Sequence, residues 1–309
     1  MNLAYRIVWN VSRQAWMVAS EFTSAKGKTK TQTTNVQTKT VGHAVVLSAA
    51  LFAASPMTVL ATDWDNEAGD GEWSTTTNWV GDSLPTSEAN VSDGSTVLIS
   101  DGSNQNVTNL RLGGTASGTG NLTISNGSLT TNWTTVADKA DTKNTLQIDS
   151  ANAVLNSNMF TVGGTGDGEL IIKNGGALDT TSIDIAYANG STGKILITGT
   201  GSSFTVDQDV KLGVSGAGTL SLVNGGSFNI HNGTGTLILG DQATGTGKLN
   251  IGADQSDSII VAAGTLDAAT VEFGAGSGSI NFNHSNTDYV FSQDVVDVNG
   301  NGEINFLSG

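Results

Sequence analysis

The sequence of 309 residues contains no cysteine, only 2 prolines and only 3 histidines. Without cysteine, the chain can form no disulfide, no thiolate metal site and no cysteine nucleophile. A Ser-His-Asp triad needs a histidine beside its nucleophile, and nothing in the sequence around His43, His231 or His284 supports such a triad. These absences argue against covalent catalysis, and we expect no enzyme activity and no cofactor.

Basic residues are also few, and they are concentrated near the N-terminus. Residues 1–60 hold six basic residues and one acidic residue, whereas residues 61–309 hold seven basic and 27 acidic residues. The acidic part repels nucleic-acid phosphate and anionic lipid, so we expect no nucleic-acid partner. Arg111 is the single arginine there. No cluster of aspartates accompanies it in sequence, which argues against a lyase that uses Asp-bound calcium and an arginine base.

The longest apolar run covers residues 41–54, and its 14 residues are too few to span a bilayer comfortably. Basic residues precede this run and small residues follow it. The tripeptide Val59-Leu60-Ala61 fits a signal-peptidase site. We therefore predict that residues 1–61 are a targeting segment that is cleaved after Ala61.

The chain is rich in glycine, with 40 residues, and much of that glycine belongs to a repeat. The clearest copies begin at residues 120, 168 and 218, and each reads apolar-x-apolar, then Asn-Gly, then apolar. The first apolar residue of successive units stands at 122, 146, 170, 195, 220, 249 and 280, which gives steps of 24, 24, 25, 25, 29 and 31 residues. A nearly constant period of this size indicates a solenoid of stacked coils.

Each repeat predicts short strands separated by sharp corners. Alternation at period 2 is typical of a strand with one buried face, and Asn-Gly or Gly-Gly supplies the positive φ of a corner. An antiparallel sandwich is the alternative, because Asn-Gly is also a hairpin signal, but the fixed period disfavours it. We therefore predict an all-β fold, a parallel, right-handed β-helix with coils of about 24–25 residues over 95–309. The longer steps predict loops near Asp254–Ser258 and Ala268–Gly276, and such loops are candidate binding sites.

Residues 62–94 differ from the repeats because they carry Trp64, Trp73 and Trp79. The open end of a β-helix exposes apolar core and unpaired strand edges unless large side chains cover it. We therefore predict a Trp-rich N-terminal cap. The alternative is that these three rings form a ligand surface on which sugars stack, which would make the chain a glycan-binding module.

One segment near the C-terminus partly matches a calcium-binding loop. Asp297, Asn299 and Asn301 place oxygen ligands at alternate positions, and Gly302 follows them. The loop is incomplete, because its twelfth position is Ser308 rather than glutamate and no flanking helices are evident. We otherwise predict no metal site, and the alternative for this segment is a turn between two strands.

A specific motif occupies the targeting segment. It consists of Tyr5, Arg6, Trp9, Asn10, Ala15, Trp16, Ser20 and Glu21. This order closely resembles the extended signal peptide region of Gram-negative type V secretion proteins. The spacing of Trp73, Asn78, Trp79 and Pro85, together with the segment 278–291, resembles parts of autotransporter passengers.

The resemblance implies export by the Sec machinery, cleavage by signal peptidase, and an outer-membrane translocator as a partner. The absence of cysteine fits this route, because a disulfide-closed loop would be too wide for a narrow outer-membrane pore. No later run shows the strands of a translocator barrel, so we expect the chain to cover only the signal and the N-terminal passenger.

The function that we expect is that of a non-catalytic passenger at the cell surface or outer membrane, or secreted through the periplasm. It would act as a structural stalk or as an adhesin that contacts a host or cell-surface glycan or protein. A truncated remnant without function is the other alternative.

Overall fold

The computed structural model describes residues 5–10, 15–20, 61–114, 118–257 and 259–308. The chain separates into two compact units, Met1–Ser55 and Pro56–Gly309. In the first unit, β1 (Tyr5–Asn10) and β2 (Ala15–Ser20) pair as an antiparallel hairpin in which Trp9 is the register partner of Trp16. Glu21, the apolar run 41–54 and residues 59–60 of the predicted signal lie outside the described residues.

The second unit is built from short strands. The first eleven are β3 (Thr62–Asp63), β4 (Glu88–Val91), β5 (Thr96–Ile99), β6 (Asn104–Leu112), β7 (Asn121–Ile124), β8 (Gly127–Val136), β9 (Lys143–Asp149), β10 (Ala153–Val162), β11 (Asp167–Lys173), β12 (Ala177–Ile185) and β13 (Thr192–Thr198). The others are β14 (Ser203–Val206), β15 (Val210–Leu212), β16 (Ala217–Val223), β17 (Ser227–Ile230), β18 (Thr236–Leu239), β19 (Thr246–Gly252), β20 (Thr265–Asp267), β21 (Thr270–Phe273), β22 (Ser277–Asn283), β23 (Asp294–Val296) and β24 (Gly302–Ser308). Two 3-10 turns, Thr76–Asn78 and His231–Gly233, join them, and no helix in the described part of the chain is long and apolar enough to cross a membrane.

Parallel pairing assembles these strands into two sheets. In the described residues, sheet 1 has 13 strands that begin in the order β3-β4-β6-β8-β10-β12 and then divide into the branches β14-β17-β20 and β15-β18-β21-β23. Sheet 2 has nine strands in the order β5-β7-β9-β11-β13-β16-β19-β22-β24. Successive coils contribute strands to both sheets in turn, so the predicted all-β parallel solenoid is confirmed.

The register of sheet 2 follows the repeat of the sequence. One row of successive register partners across this sheet consists of Val97, Leu122, Leu146, Leu170, Ile195, Leu220, Leu249, Ile280 and Ile304. All of these side chains except Ile304 are buried. The first apolar residue of each sequence repeat therefore occupies the same core position in its own coil. Sheet 1 begins earlier than the predicted boundary at residue 95, because β4 already pairs with β6.

The predicted Asn-Gly corners are present at two of the clearest repeats. Asn174 and Asn224 have φ values of 55° and 52°, and the glycines that follow them have φ values of 88° and 79°. Asparagine tolerates the left-handed region better than most residues, and glycine enters it without steric cost. These corners turn the chain from sheet 2 into sheet 1.

The two long repeat steps have different structural causes. The step from Leu220 to Leu249 includes the 3-10 turn His231–Gly233 between β17 and β18. The step from Leu249 to Ile280 includes the loop 253–264 between β19 and β20, so the loop predicted at Asp254 is confirmed. The loop predicted at Ala268–Gly276 is only partly present, because the strand β21, which alternates buried and half-buried residues, occupies the middle of that segment.

A row of glycines in sheet 2 lies very close to neighbouring backbone. Gly168, Gly193, Gly218, Gly247, Gly278 and Gly302 are successive register partners in sheet 2. A Cβ atom on Gly218 would overlap the backbone nitrogen of Gly213 and lie 3.0 Å from its Cα. The obstacle is backbone, which cannot rotate away as a side chain can, so this row of the solenoid requires glycine.

We expect Gly218→Ala to destabilise the solenoid by about 1–3 kcal/mol, because the neighbouring corner must move to admit a methyl group. The matched control is Thr219→Ala on the same strand, whose side chain is half-buried on the outer face and whose loss should cost about 0.5 kcal/mol or less. Urea unfolding followed by far-UV circular dichroism measures both. Equal midpoints for the two variants would contradict the close approach.

Candidate functional site

The three tryptophans of residues 62–94 lie in the core at the N-terminal end of the solenoid. Trp64, Trp73 and Trp79 are only 3%, 1% and 0% exposed. The ring of Trp79 packs edge-on against both others, with centroid separations of 4.9 Å to Trp64 and 4.7 Å to Trp73. The alternative prediction, that these rings form a sugar-binding surface, is therefore wrong, because burial leaves no ring face open to a ligand.

Asn78 explains the spacing of the motif that contains these tryptophans. Its fully buried amide accepts a hydrogen bond from the Ala68 N–H at 3.0 Å and donates to the Glu72 carbonyl at 3.0 Å and to Asp70 Oδ1 at 2.5 Å. Hydrogen bonds from the Glu72 N–H, the Thr75 hydroxyl and the Asn78 amide hold the pKa of Asp70 below its usual value. One buried amide thus closes the loop that carries Trp73 and Trp79.

The same segment lies at the first strand of each sheet. Its strand β3 pairs with β4 in sheet 1, and Glu72 forms a parallel bridge with Leu98 in sheet 2. The Trp73 N–H also donates to the Leu98 carbonyl at 2.8 Å. Backbone groups at the N-terminal edge of both sheets therefore have partners within the Trp-rich segment.

The calcium candidate near the C-terminus forms a turn between β23 and β24. Asp297 Oδ1 accepts the Gly300 N–H at 2.8 Å and the Asn301 N–H at 3.3 Å. The amides of Asn299 and Asn301 donate to the carbonyl of Gly274 in the preceding coil at 2.9 and 3.2 Å. In the described residues no group of three His, Asp or Glu could hold a metal ion. These three side chains therefore hold a turn between strands, which is the alternative that the sequence left open for this segment.

The predicted cleavage residue lies immediately before the solenoid. Ala61 is exposed and directly precedes β3. Cleavage after it would leave the strands of both sheets in the mature chain, and it stays a prediction.

The loop 253–264 borders a groove of about 810 Å³ on the outer face of sheet 2. Lys248 Nζ lies 3.9 Å from Asp254 Oδ2, which also accepts a hydrogen bond from the Asn250 amide at 3.0 Å. Asp254 Oδ1 accepts the Ser256 N–H and hydroxyl at 3.0 and 2.8 Å. The carboxylate of Asp254 at this groove therefore already has hydrogen-bond and charge partners within the protein.

A second groove, on the outer face of sheet 1, has a different character. Its walls are Trp133 on β8, Met159 on β10 and Tyr187 after β12, which are 51%, 45% and 56% exposed. Trp133 and Met159 are register partners, so their side chains stand next to each other on adjacent coils. The groove has a volume of about 380 Å³, and we call it the aromatic groove.

Polar side chains line the aromatic groove between its walls. Thr135, Thr161 and Asp184 are successive register partners on β8, β10 and β12. Burial raises the pKa of the Asp184 carboxyl, an effect that Lys211 opposes and Asp241 reinforces. In the described part of the chain these three side chains have no hydrogen-bond partner, so their oxygens are available to a ligand.

A glycine shapes the corner of the aromatic groove. Gly164 lies there between Asp138 and Tyr187, and a Cβ atom on it would come within 3.2 Å of the Thr135 methyl group. Asp138 is paired with Arg111 at 3.2 Å and with Lys139 at 3.6 Å. The charge of Asp138 is therefore balanced, whereas Asp184 has no ion pair within 4.0 Å in the described residues.

Sequence reasoning missed this groove because its walls are distant in sequence and come together only when coils stack. One signal was present in the sequence. Trp133 and Met159 occupy outward positions of strands in which most inward positions are apolar. A large apolar residue at an outward repeat position is the feature that would have identified them.

Comparison with known proteins identifies the N-terminal segment. Residues 1–55 match the family described as "Extended Signal Peptide of Type V secretion system", and the second unit is a parallel β-solenoid. The chain carries a type V secretion signal and has the fold of an autotransporter passenger. The signal indicates export across the inner membrane.

Two proteins of Escherichia coli K12 are similar to parts of this chain. The chain is 37% identical to "Uncharacterized lipoprotein YdeK" over 131 residues, which is 42% of this chain and 10% of that protein. It is 31% identical to "Uncharacterized protein YuaQ" over 150 residues, which is 48% of this chain and again 10% of that protein. The chain therefore spans a small part of the length of either relative. No solved structure matches it.

Proposed function

We propose that this chain is a non-catalytic passenger that is presented at the bacterial surface, where the solenoid acts as a stiff, adhesive stalk. The proposal rests on one observation: the same chain carries a type V secretion signal over residues 1–55 and a parallel β-solenoid. The name of the relative YdeK, a lipoprotein, is consistent with a place in the cell envelope.

The geometry supports a stalk because successive strands fix the spacing of the coils. Nine strands of sheet 2 at about 4.8 Å each give a rod of roughly 40 Å. Buried apolar rows run along this rod from β5 to β22, so bending would separate packed side chains. A rod of this kind holds its outer faces at fixed positions relative to the cell.

The test is to locate the chain, expressed with its own signal, in the bacterium from which it comes, because those cells supply the translocator that surface presentation would need. We expect protease added to intact cells to degrade the chain, or the chain to accumulate in the medium, while a periplasmic marker protein stays intact. Deletion of residues 1–55 should leave the chain in the cytoplasm. A chain that keeps its signal but stays protected inside intact cells would contradict surface presentation.

A further inference from the structure

We propose that the aromatic groove binds a neutral oligosaccharide, with one pyranose ring stacked on Trp133 and its hydroxyl groups hydrogen-bonded to Asp184, Thr135 and Thr161. This inference deepens the proposed adhesive role and rests on it for its biological meaning. Binding by the isolated protein is nevertheless independent of where the cell places that protein.

The first argument is the position of the exposed apolar side chains. In the ladder that contains Trp133 and Met159, the flanking register partners are the polar residues Asn109 and Ser182. The other large apolar side chains that are exposed in the described residues lie at Val80 in the cap, in the loop 253–264 or in residues 290–307. An exposed apolar patch in the middle of a folded surface indicates a binding site, and the aromatic groove is such a patch.

The second argument is that the groove offers partners for both the apolar C–H face and the hydroxyl groups of a sugar. The C–H face of a pyranose packs against the electron-rich face of an aromatic ring. Its hydroxyl groups are donors as well as acceptors, so they can pair with the hydroxyls of Thr135 and Thr161 and donate to Asp184. A hydrogen bond to a carboxylate is stronger than one between neutral groups. The volume of about 380 Å³ falls in the range of roughly 300–1,000 Å³ that is usual for small-ligand sites.

The third argument is charge, which selects against anionic sugars. Residues 61–309 carry 27 acidic and seven basic residues. The basic groups near the groove are already paired with carboxylates: Arg111 and Lys139 with Asp138, and Lys211, the register partner of Asp184, with Asp241 at 3.2 Å. The carboxylate of Asp184 would meet a sulfate or sialic acid with like charge. The geometry therefore favours a neutral glycan over an acidic one.

The fourth argument separates a sugar from an extended peptide. A peptide strand that joins a sheet needs unpaired backbone groups at an edge. Beneath the aromatic groove, β8 and β10 are paired on both sides, and β12 is paired with β10 on one side and with β14 and then β15 on the other. The groove thus offers side chains but no backbone ladder, which suits a ligand recognised through its hydroxyl groups and ring faces.

The experiment is a binding screen of the purified full chain against an array of neutral gluco-, galacto- and manno-oligosaccharides, with sialylated and sulfated glycans on the same array. We expect binding to one or more neutral glycans. The affinity for the best of them, measured by titration calorimetry, should fall by at least about tenfold, the equivalent of one lost contact of ~1.4 kcal/mol, in Trp133→Ala and in Asp184→Asn. Trp133→Phe should restore part of the affinity because it keeps a ring.

The matched control is Val80→Ala, which removes an apolar side chain that is also exposed, at 56%, but lies outside the groove. We expect this variant to bind as the unaltered protein does. Because Trp133 is half exposed, Trp133→Ala should keep the thermal unfolding midpoint of the parent, so a loss of binding in it is not a loss of fold.

Three outcomes would overturn the inference. They are no binding to any neutral glycan, stronger binding to sulfated or sialylated glycans, and glycan binding that Trp133→Ala leaves unchanged. Each of them would leave the surface location of the chain, tested separately by protease accessibility, as it stands. Conversely, if the chain is periplasmic but still binds the glycan, the proposal of a stalk at the surface is wrong and the proposal of a sugar site stands.

Discussion

Replacing Leu170 by aspartate is expected to unfold the central coils of the solenoid. Leu170 is fully buried between its register partners Leu146 and Ile195. Loss of the leucine side chain costs about 2–5 kcal/mol, and a buried carboxylate without a partner adds several more kcal/mol. The sum approaches the whole stability of an ordinary domain, about 5–15 kcal/mol. Because each coil of a solenoid contacts only its neighbours, we expect the damage to begin in β9, β11 and β13.

Hydrogen exchange read by mass spectrometry measures this prediction strand by strand. We expect the amides of β9, β11 and β13 to lose most of their protection, while the Trp-rich segment loses less. The matched control is Ile171→Asp, the same kind of change one residue further along β11, where the side chain is half-buried on the outer face. If the amides of β11 in Leu170→Asp exchange as slowly as in the wild-type protein, residue 170 does not lie in the core, which would contradict the register of sheet 2.

Trp79→Ala is expected to detach the Trp-rich segment from the end of the solenoid. The side chain of Trp79 is 0% exposed, contacts the rings of Trp64 and Trp73, and donates from Nε1 to the Trp73 carbonyl at 2.8 Å. Truncation of a buried tryptophan costs about 3–5 kcal/mol. The bonds between the segment and the first strands, such as the one from the Trp73 N–H to the Leu98 carbonyl, would then open.

The consequence of this change should be local unfolding followed by association. We expect the remaining buried tryptophans to shift their emission to longer wavelengths, and light scattering to rise with protein concentration because strand edges become free. The control is Val80→Ala, the next residue, whose side chain is 56% exposed. Unchanged emission and no scattering in Trp79→Ala would show that the segment holds to the solenoid without this ring.

The repeat made most of the fold predictable, because the residues that stack are the residues that recur. Leu122, Leu146 and Leu170 are equivalent in the sequence and are register partners in sheet 2. The corners at Asn174 and Asn224 were equally visible, since few residues other than glycine adopt their backbone conformation readily. The glycine row was also present in the sequence, but its cause, the close approach of Gly218 to the backbone of Gly213 in the corner that precedes it, is visible only in the structure.

The sites were much less predictable, because exposure is not a property of a residue type. Trp64, Trp73 and Trp79 are close in sequence, and the sequence left an exposed platform open as the alternative to the predicted cap. In the structure they bury one another at the end of the solenoid. Trp133 and Tyr187 are far apart in sequence, yet they line one groove. Whether an aromatic ring covers a core or faces solvent depends on which strand faces point inwards and on what lies beyond them.

The sequence by itself therefore determined the class of the protein, its export signal, the period of its coils and the core positions in each coil. These are local or periodic features, and alternating polarity and turn chemistry encode them directly. Only the tertiary structure decided which tryptophans are buried, that the Asp297 segment closes a turn against Gly274, and that a groove with free oxygens crosses three coils. The physical reason is that stacking joins residues about one coil apart, and the neighbours acquired in this way decide which polar groups are satisfied and which stay open to a ligand.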